Sequence, residues 1–540
     1  MEINQRRSLL CQTQIKVTCC IISVNFLLVT ILCLTFTATP TASFLVTFSP
    51  SNHHLCYNNV LHNKMMKRTE REQTSRKITN FALFCKKRTT PICQLSKTEQ
   101  SEKNSMSSSS SSPSSSVLKG KISREEAINL ANTFQPGNFQ PASFATNTHV
   151  QTITGFLFRN QHPLFTYWNK NGDTLKSIMS LLRQKHSKEN ENKHQFWDQR
   201  KRFETPDGDF FDVDYKFCEP SSISRGIVIQ THGIESSSSS PTSIDLAKAF
   251  LDQDMDVACI NFRGCSGEPN RTWRSYHFGF TNDLKQLITE TTSRNRNECS
   301  PTYSIFLSGF SLGSNVILKL LGELGDSAKD FNIAGAAISC APYDLQKNEK
   351  YHDENPLVRK FYIDSIVKSL RCNALNQVDK FLSRSKSDVI DNGLLSSDDP
   401  LIDLDGLRAC VTQAEFEDAY TAPIFGFEDH SDYYRQTASC YYLEGIEIPT
   451  LILNSADDPF FYPESFSDFV EGSPVKVVKT KYGGHVGYMF HRLEPSLNTD
   501  DANRGGGGGG VKQDKEAPVA SWMSIELARF IDHVDKNRRE

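Results

Sequence analysis

The stretch 303–324 reads YSIFLSGFSLGSNVILKLLGEL. An apolar run at 303–307 passes through Gly309-Phe310-Ser311-Leu312-Gly313 into a segment whose Val316, Leu320 and Leu324 recur at helical spacing. A strand joined to a helix through G-x-S-x-G forces its serine into a sharp turn, and the flanking glycines relieve the crowding around it. The turn exposes the hydroxyl at a helix N-terminus, whose dipole favours developing negative charge. Outward from this point the pattern repeats. Upstream, 201–205 and 210–217 read as two strands joined by Pro206-Asp207-Gly208, followed by strands at 226–231 and 257–262 and helices over 243–251 and 281–292. Downstream, 333–340, 449–454 and 475–480 are further apolar strands. Continuous apolar strands alternating with helices predict an α/β fold, a mostly parallel sheet flanked by helices. Ligands of such sheets bind beyond the carboxyl ends of the strands.

Serine is a weak nucleophile without a base. His485, in Gly483-Gly484-His485-Val486-Gly487, follows the final strand, and its glycine neighbours free the loop to carry an imidazole over the sheet. An acid to orient that histidine is expected after the preceding strand, where Leu453-Asn454-Ser455-Ala456-Asp457-Asp458-Pro459 offers two. Placing Ser455 at the small-residue position of a G-x-x-D pattern selects Asp458, with Asp457 as the fallback and otherwise a turn-capping residue. The predicted catalytic set is Ser311, Asp458 and His485. Stabilising a tetrahedral oxyanion takes two backbone N–H groups. Leu312, next to the nucleophile, and Ile234, in His232-Gly233-Ile234-Glu235 after the 226–231 strand, are the candidates. His232 reads as a residue orienting that loop, and Cys265 as structural, since only Arg263 adjoins it.

The rest of the chain sets the frame. With 540 residues and 38% hydrophobic content, part of the chain lies outside any core. A net charge of -3 argues against nucleic acid as a partner. The 15 cysteines form no C-x-x-C pair and no H-E-x-x-H occurs, so neither a metal nor another cofactor is expected. Residues 1–43 carry Arg6, Arg7 and Lys16 before an apolar run at 17–36, then small residues: a signal peptide or an uncleaved signal anchor, with membrane association through 17–36 in the second case. Residues 44–119 read as a transit-like, Ser-rich disordered linker; between Phe44 and Ser116 there are 11 basic and 4 acidic residues. The junction Thr41-Ala42-Ser43-Phe44 resembles the motif that opens plastid transit peptides in algae with secondary plastids. The expected destination is therefore the secretory route or a membrane, with a plastid as the further option. The core occupies 120–345 and 445–540, interrupted by a helical cap at 346–444 and a glycine-rich insertion at 500–515.

The chain order Ser311, Asp458, His485 is that of α/β-hydrolases. The chain resembles their YheT-like branch, which includes plant embryogenesis-associated proteins and mammalian abhydrolase-domain membrane esterases. The resemblance rests on Asn147 to Thr152 (NTHVQT), His232 to Glu235 (HGIE), Asn261 to Asn270 (NFRGCSGEPN), Tyr276-His277, Ser311 to Asn315 (SLGSN), Phe425 to Arg435 (FGFEDHSDYYR), Asp457-Asp458-Pro459 and Gly484 to Gly487 (GHVG). It covers roughly 140–535 of the sequence, with NFRGCSGEPN its most specific block. It implies a Ser–His–Asp hydrolase of acyl esters, taking short- to medium-chain esters or acylglycerol- and phospholipid-type lipids. Ser314 departs from the family's glycine, and the insertions near 391–405 and 505–510 are additional. An acyltransferase using the same residues and a ligand-binding protein on the same fold are the other two classes. Oligomeric state is not written in the sequence.

Overall fold

The computed structural model describes residues 122–141, 145–158, 196–219, 222–298, 303–382, 402–463, 472–490 and 521–539. The apolar run at 17–36, the linker and the glycine tract lie outside these residues. No helix among the described residues is long and apolar enough to cross a membrane.

Eight strands form one sheet in the order β1-β2-β4-β3-β5-β6-β7-β8: β1 Gln199–Glu204, β2 Phe210–Lys216, β3 Gly226–Thr231, β4 Met255–Asn261, β5 Ser304–Phe310, β6 Ile333–Ser339, β7 Thr450–Ser455 and β8 Val475–Thr480. The β1/β2 hairpin and its junction with β4 are antiparallel, and every other pairing is parallel. The apolar runs are continuous because both faces are covered. On β3, Ile227 and Ile229 enter one core while Val228 enters the other. On β5, Ile305 and Leu307 part from Phe306 in the same way. This is the two-residue period of a strand.

Helices α1 (Arg124–Thr133), α2 (Thr148–Phe158), α3 (Pro241–Leu251), α4 (Asn282–Glu298) and α5 (Leu312–Leu324) belong to the core. Leu284, Leu287 and Ile288 of α4 and Val316, Ile317 and Leu320 of α5 fill one face. Leu246 and Phe250 of α3 fill the other, with Leu527, Phe530 and Ile531 of the C-terminal helix Trp522–Arg539. α3 starts where Ser240 accepts from Ser243 N–H at 3.1 Å and Pro241 takes the first helical position.

Between β6 and β7 the described residues are helical: α6 (Leu345–Glu354), a bent segment from Pro356 to Ile363, α7 (Asp364–Leu382), short turns from Leu404 to Phe425, and α8 (His430–Thr437). This segment stands over the strand ends. β3 sits between β4 and β5, so the chain reverses its direction of travel across the sheet there. The carboxyl ends of β3 and β5 therefore flank the switch point where α/β sheets bind ligands.

The NFRGCSGEPN loop after β4 is held from below by charge. The buried Arg263 donates to both oxygens of Asp283 at 2.8 Å and to Asp207 at 2.7 Å. Asp209, also buried, accepts from Asn270 Nδ2 and from Arg271 and Thr272 N–H. Asp207 is drawn down to about 2: burial opposes ionisation, but the bonds from Arg263 and Thr205 outweigh it. Asp283→Ala removes two charge-assisted bonds from the buried guanidinium and leaves Asp207 as its remaining direct acceptor, so a cost of about 3 kcal/mol is expected. The urea midpoint of the variant measures it.

Candidate active site

The elbow is built from crowding. Ser311 has φ 55 and ψ -126, a left-handed conformation that a serine adopts at a cost. A Cβ on Gly309 would collide with Thr231 Oγ1, and one on Gly313 would sit 2.5 Å from that oxygen and 2.6 Å from His232 O. Glycines thus let the end of β3 lie against the start of α5. Ser311 N–H donates to Ser339 O of β6 at 3.0 Å. Ser314 directs its hydroxyl to Ser339 O at 2.7 Å and Gly309 O at 3.0 Å, which adds a tie to the elbow. Asn315 uses its whole amide: Nδ2 donates to Phe278 O and Thr437 O, and Oδ1 accepts from Ser439 N–H. It joins α5 to the far edge of the cap.

The structure brings Ser311, His485 and Asp458 together. His485 Nε2 lies 3.1 Å from Ser311 Oγ, and Nδ1 lies 2.8 Å from Asp458 Oδ2. A carboxylate only accepts, so Nδ1 carries the proton and Nε2 is free to accept from the serine. The Asp458 side chain is 1% exposed. Its other oxygen accepts from Phe460 N–H at 2.9 Å, so Asp458 caps its own turn. The Phe460 ring packs 4.3 Å from the imidazole, and Phe461 meets it edge-on at 5.2 Å. These rings shield the histidine.

Asp457 does a different job from the expected turn cap. Its Oδ1 accepts from Gly484 N–H at 2.9 Å, and Ser455 Oγ donates to Gly484 O at 2.8 Å, so the strand end grips the histidine loop from both sides of one residue. Burial pushes the Asp457 carboxyl up. From the other side, α2 carries Thr152, whose Oγ1 accepts from His485 N–H at 3.0 Å, and Gln151, which bonds both N–H and C=O of Met489. Gly484 has φ 57, and a Cβ there would lie 2.6 Å from Thr152 Oγ1. The NTHVQT block, distant in sequence, thus positions the imidazole.

The other candidate donors lie beside the serine. Gly233 is close enough that a Cβ on it would stand 3.2 Å from Ser311 Cβ. Among the described residues, neither Leu312 nor Ile234 N–H donates to a protein acceptor. His232 fixes the loop: its Nε2 accepts from Phe262 N–H at 3.2 Å, which leaves Nδ1 to donate to Gly233 O at 2.8 Å. That carbonyl belongs to the same peptide unit as Ile234 N–H, so the bond aims the donor. Full burial holds the His232 imidazole down at about 4.

Other residues of the loops and the cap are placed elsewhere. Cys265 packs against the core, its thiol pushed up by burial. Phe425 and Phe427 meet the buried His277 edge-on, with ring centroids 4.3 and 5.8 Å away, as core beneath the cap. Tyr362 packs 4.9 Å from Phe460 and bonds His149 Nδ1, whereas Phe361 is 38% exposed. Cys340, Asp458 and His485 each offer a ligand atom within 4.8 Å of the others. Two of those atoms already bond one another, and Cys340 Sγ accepts from Val486 N–H, so the arrangement serves the loop.

A strained serine between strand and helix, at the switch point of such a sheet and within reach of a buried His–Asp pair, defines an α/β-hydrolase architecture. The family model described as "Serine aminopeptidase, S33" matches residues 222–410. YheT of Escherichia coli (strain K12) is 30% identical over 366 residues, 66% of this chain and 89% of that protein. The chain belongs to the α/β-hydrolase superfamily, in its YheT/ABHD branch. The monoacylglycerol lipase of Saccharomyces cerevisiae is 27% identical over 246 residues, 44% of this chain and 49% of the lipase. Phospholipase ABHD3 of Homo sapiens is 25% identical over 290 residues, 52% of this chain and 63% of the phospholipase.

Two outcomes follow from this packing. Gly313→Ala drives a methyl into backbone that cannot give way, and a loss of stability of about 3 kcal/mol is expected, read as a denaturation midpoint. His232 is neutral when folded and free to protonate near 6.5 when unfolded. The unfolded chain then binds more protons below 6.5, so stability should fall as pH drops from 6.5 through about 4. His277, held down to about 3 by burial and by Lys319, adds to the same slope. Denaturation series at pH 7, 5.5 and 4.5 test it.

Proposed function

We propose that this chain is a serine hydrolase of acyl esters, small-molecule or lipid. The observation that carries the reading is the continuous relay from Ser311 Oγ through His485 to the buried Asp458, at 3.1 and 2.8 Å. In this reading Ser311 Oγ attacks the acyl carbon as its proton passes to His485 Nε2. Asp458 holds the imidazole in the required tautomer and stabilises the imidazolium. The carbonyl oxygen, now negative, meets the N–H groups of Leu312 and Ile234. Collapse returns the proton from Nε2 to the leaving alcohol, and water repeats the sequence to release the acid. Relatives named as a monoacylglycerol lipase and a phospholipase support esters of acyl chains as the substrate class.

A fluorophosphonate probe with 4-nitrophenyl and monoacylglycerol esters of graded chain length tests the reading. Labelling and turnover are both expected, and both should vanish in Ser311→Ala without a change in folding. Asp458→Asn should lower kcat by about 10⁴, as for a triad acid that fixes the tautomer, and cost far more than Asp457→Asn. Wild-type turnover in Ser311→Ala, or the reverse ranking of the two aspartates, contradicts the assignment.

A further inference from the structure

The oxyanion-hole loop has a second anchor besides His232, and it comes from the cap. Glu235, one residue beyond Ile234, has φ 53, so the chain is held in a left-handed turn beside the candidate donor. Its own N–H donates to the Tyr276 hydroxyl at 2.7 Å, and that hydroxyl donates to Glu235 Oε1 at 3.1 Å. A closed ring therefore links the Glu235 backbone to its own carboxylate through one phenol. The other oxygen, Oε2, accepts from two residues of the cap helix α7: Ser369 Oγ at 2.5 Å and Asn373 Nδ2. Burial pushes the Glu235 carboxyl up, and the three groups that hold it against burial are Ser369, Tyr276 and Asn373, all neutral donors.

The donors on α7 are one stripe. Ser369, Asn373 and Gln377 are spaced four apart, which puts them on one face of a helix. Gln377 Nε2 continues the stripe, donating to Asn270 O at 2.8 Å and Thr272 O at 2.7 Å in the loop after β4. Helix α7 thus docks on the core by polar contacts, and the first two end on the carboxylate beside the oxyanion donor.

We propose that Glu235 is a positioning residue through which the cap sets the oxyanion hole: α7, seated by Ser369 and Asn373, fixes the carboxylate, the carboxylate fixes Tyr276, and the ring fixes the turn that presents Ile234 N–H. This rests on the reading of Ser311 as nucleophile with Ile234 as an oxyanion donor. A cap that lifts takes two donors from a carboxylate whose burial already opposes its charge, and the turn relaxes. The hole is then complete only while the cap is seated.

The test uses the full chain with 4-nitrophenyl butyrate, counting active sites by fluorophosphonate labelling to saturation. The variants are Glu235→Gln, Glu235→Ala and the double Ser369→Ala/Asn373→Ala, with Lys368→Ala, on the exposed side of α7, as control. Losing one oxyanion donor costs about 10²–10³ in kcat, so a misaimed one should cost roughly tenfold to a hundredfold. The expected result is that loss in kcat per labelled site for Glu235→Ala and for the double variant. KM should hold within about threefold, and affinity for a trifluoromethyl ketone, whose adduct carries the oxyanion, should fall in parallel. Glu235→Gln, which keeps an acceptor and the shape, should lose less, and Lys368→Ala nothing. If the variants only lower the labelled fraction while kcat per site stays at wild type, Glu235 is structural and the proposal is overturned. Turnover surviving in Ser311→Ala would instead remove the nucleophile on which it rests, a separate failure.

Discussion

The close approach of the end of β3 to the first turn of α5 is the contact on which the rest of the site depends. Thr231 and His232 occupy the space where side chains at 309 and 313 would go, so glycine is required at both places. With β3 pressed there, Ser311 is left in the left-handed turn, and Ser311 N–H is tied back to β6 through Ser339 O. The same approach brings Gly233 against Ser311 and so sets the candidate oxyanion donor beside the candidate nucleophile. One steric constraint thus sets both halves of the proposed acyl-transfer site, the serine oxygen and the candidate place for the charge its attack would create. The cost of the strained turn is met by the parallel sheet, whose core strands are buried on both faces.

The histidine loop is positioned by other means. It has no regular structure, and several of its residues have positive φ, among them Gly484, Val486 and Tyr488. Polar bonds from two directions hold it: Asp457 and Ser455 from the end of β7, Thr152 and Gln151 from α2. A mobile imidazole would lose the alignment that proton transfer needs, since small misplacements of reacting groups are costly. The packing of Phe460 and Phe461 completes the clamp, and Phe460 also donates its N–H to Asp458. The acid, its shielding rings and the histidine therefore form one unit.

What the sequence made legible follows from how local each signal is. The elbow is legible because strand, turn and helix are contiguous and the glycines have a steric reason. The order of serine, acid and histidine reflects the order of the strands, and the preference for Asp458 over Asp457 came from a spacing pattern. The structure supplies a physical reason: consecutive residues in this turn face opposite ways, so one carboxylate reaches the imidazole and the other the loop backbone. Contacts across long separations left no such trace. Thr152 and His485 are 333 positions apart, and nothing in 147–152 read alone says that its threonine accepts from a histidine N–H. Likewise, nothing in the residues around Asn315 says that its amide is saturated by groups from two distant segments.

The cap was the least legible part, for a reason that bears on function. A helix that docks by apolar packing announces its buried face in its periodicity. α7 contacts the core partly through Ser369, Asn373 and Gln377, residue types that in sequence describe a solvated face. Polar docking is weaker per contact than apolar burial, because each bond replaces one to water and its net worth is small. The same cap also meets the core through rings, Phe425 on His277 and Tyr362 on Phe460, so the polar stripe is one part of its seating. Under the proposed reading, an ester that enters beyond the strand ends needs room beneath the cap, and an oxyanion needs the loop fixed once the substrate is in. In that reading, the polar stripe that ends on the Glu235 carboxylate is what ties the cap to the loop.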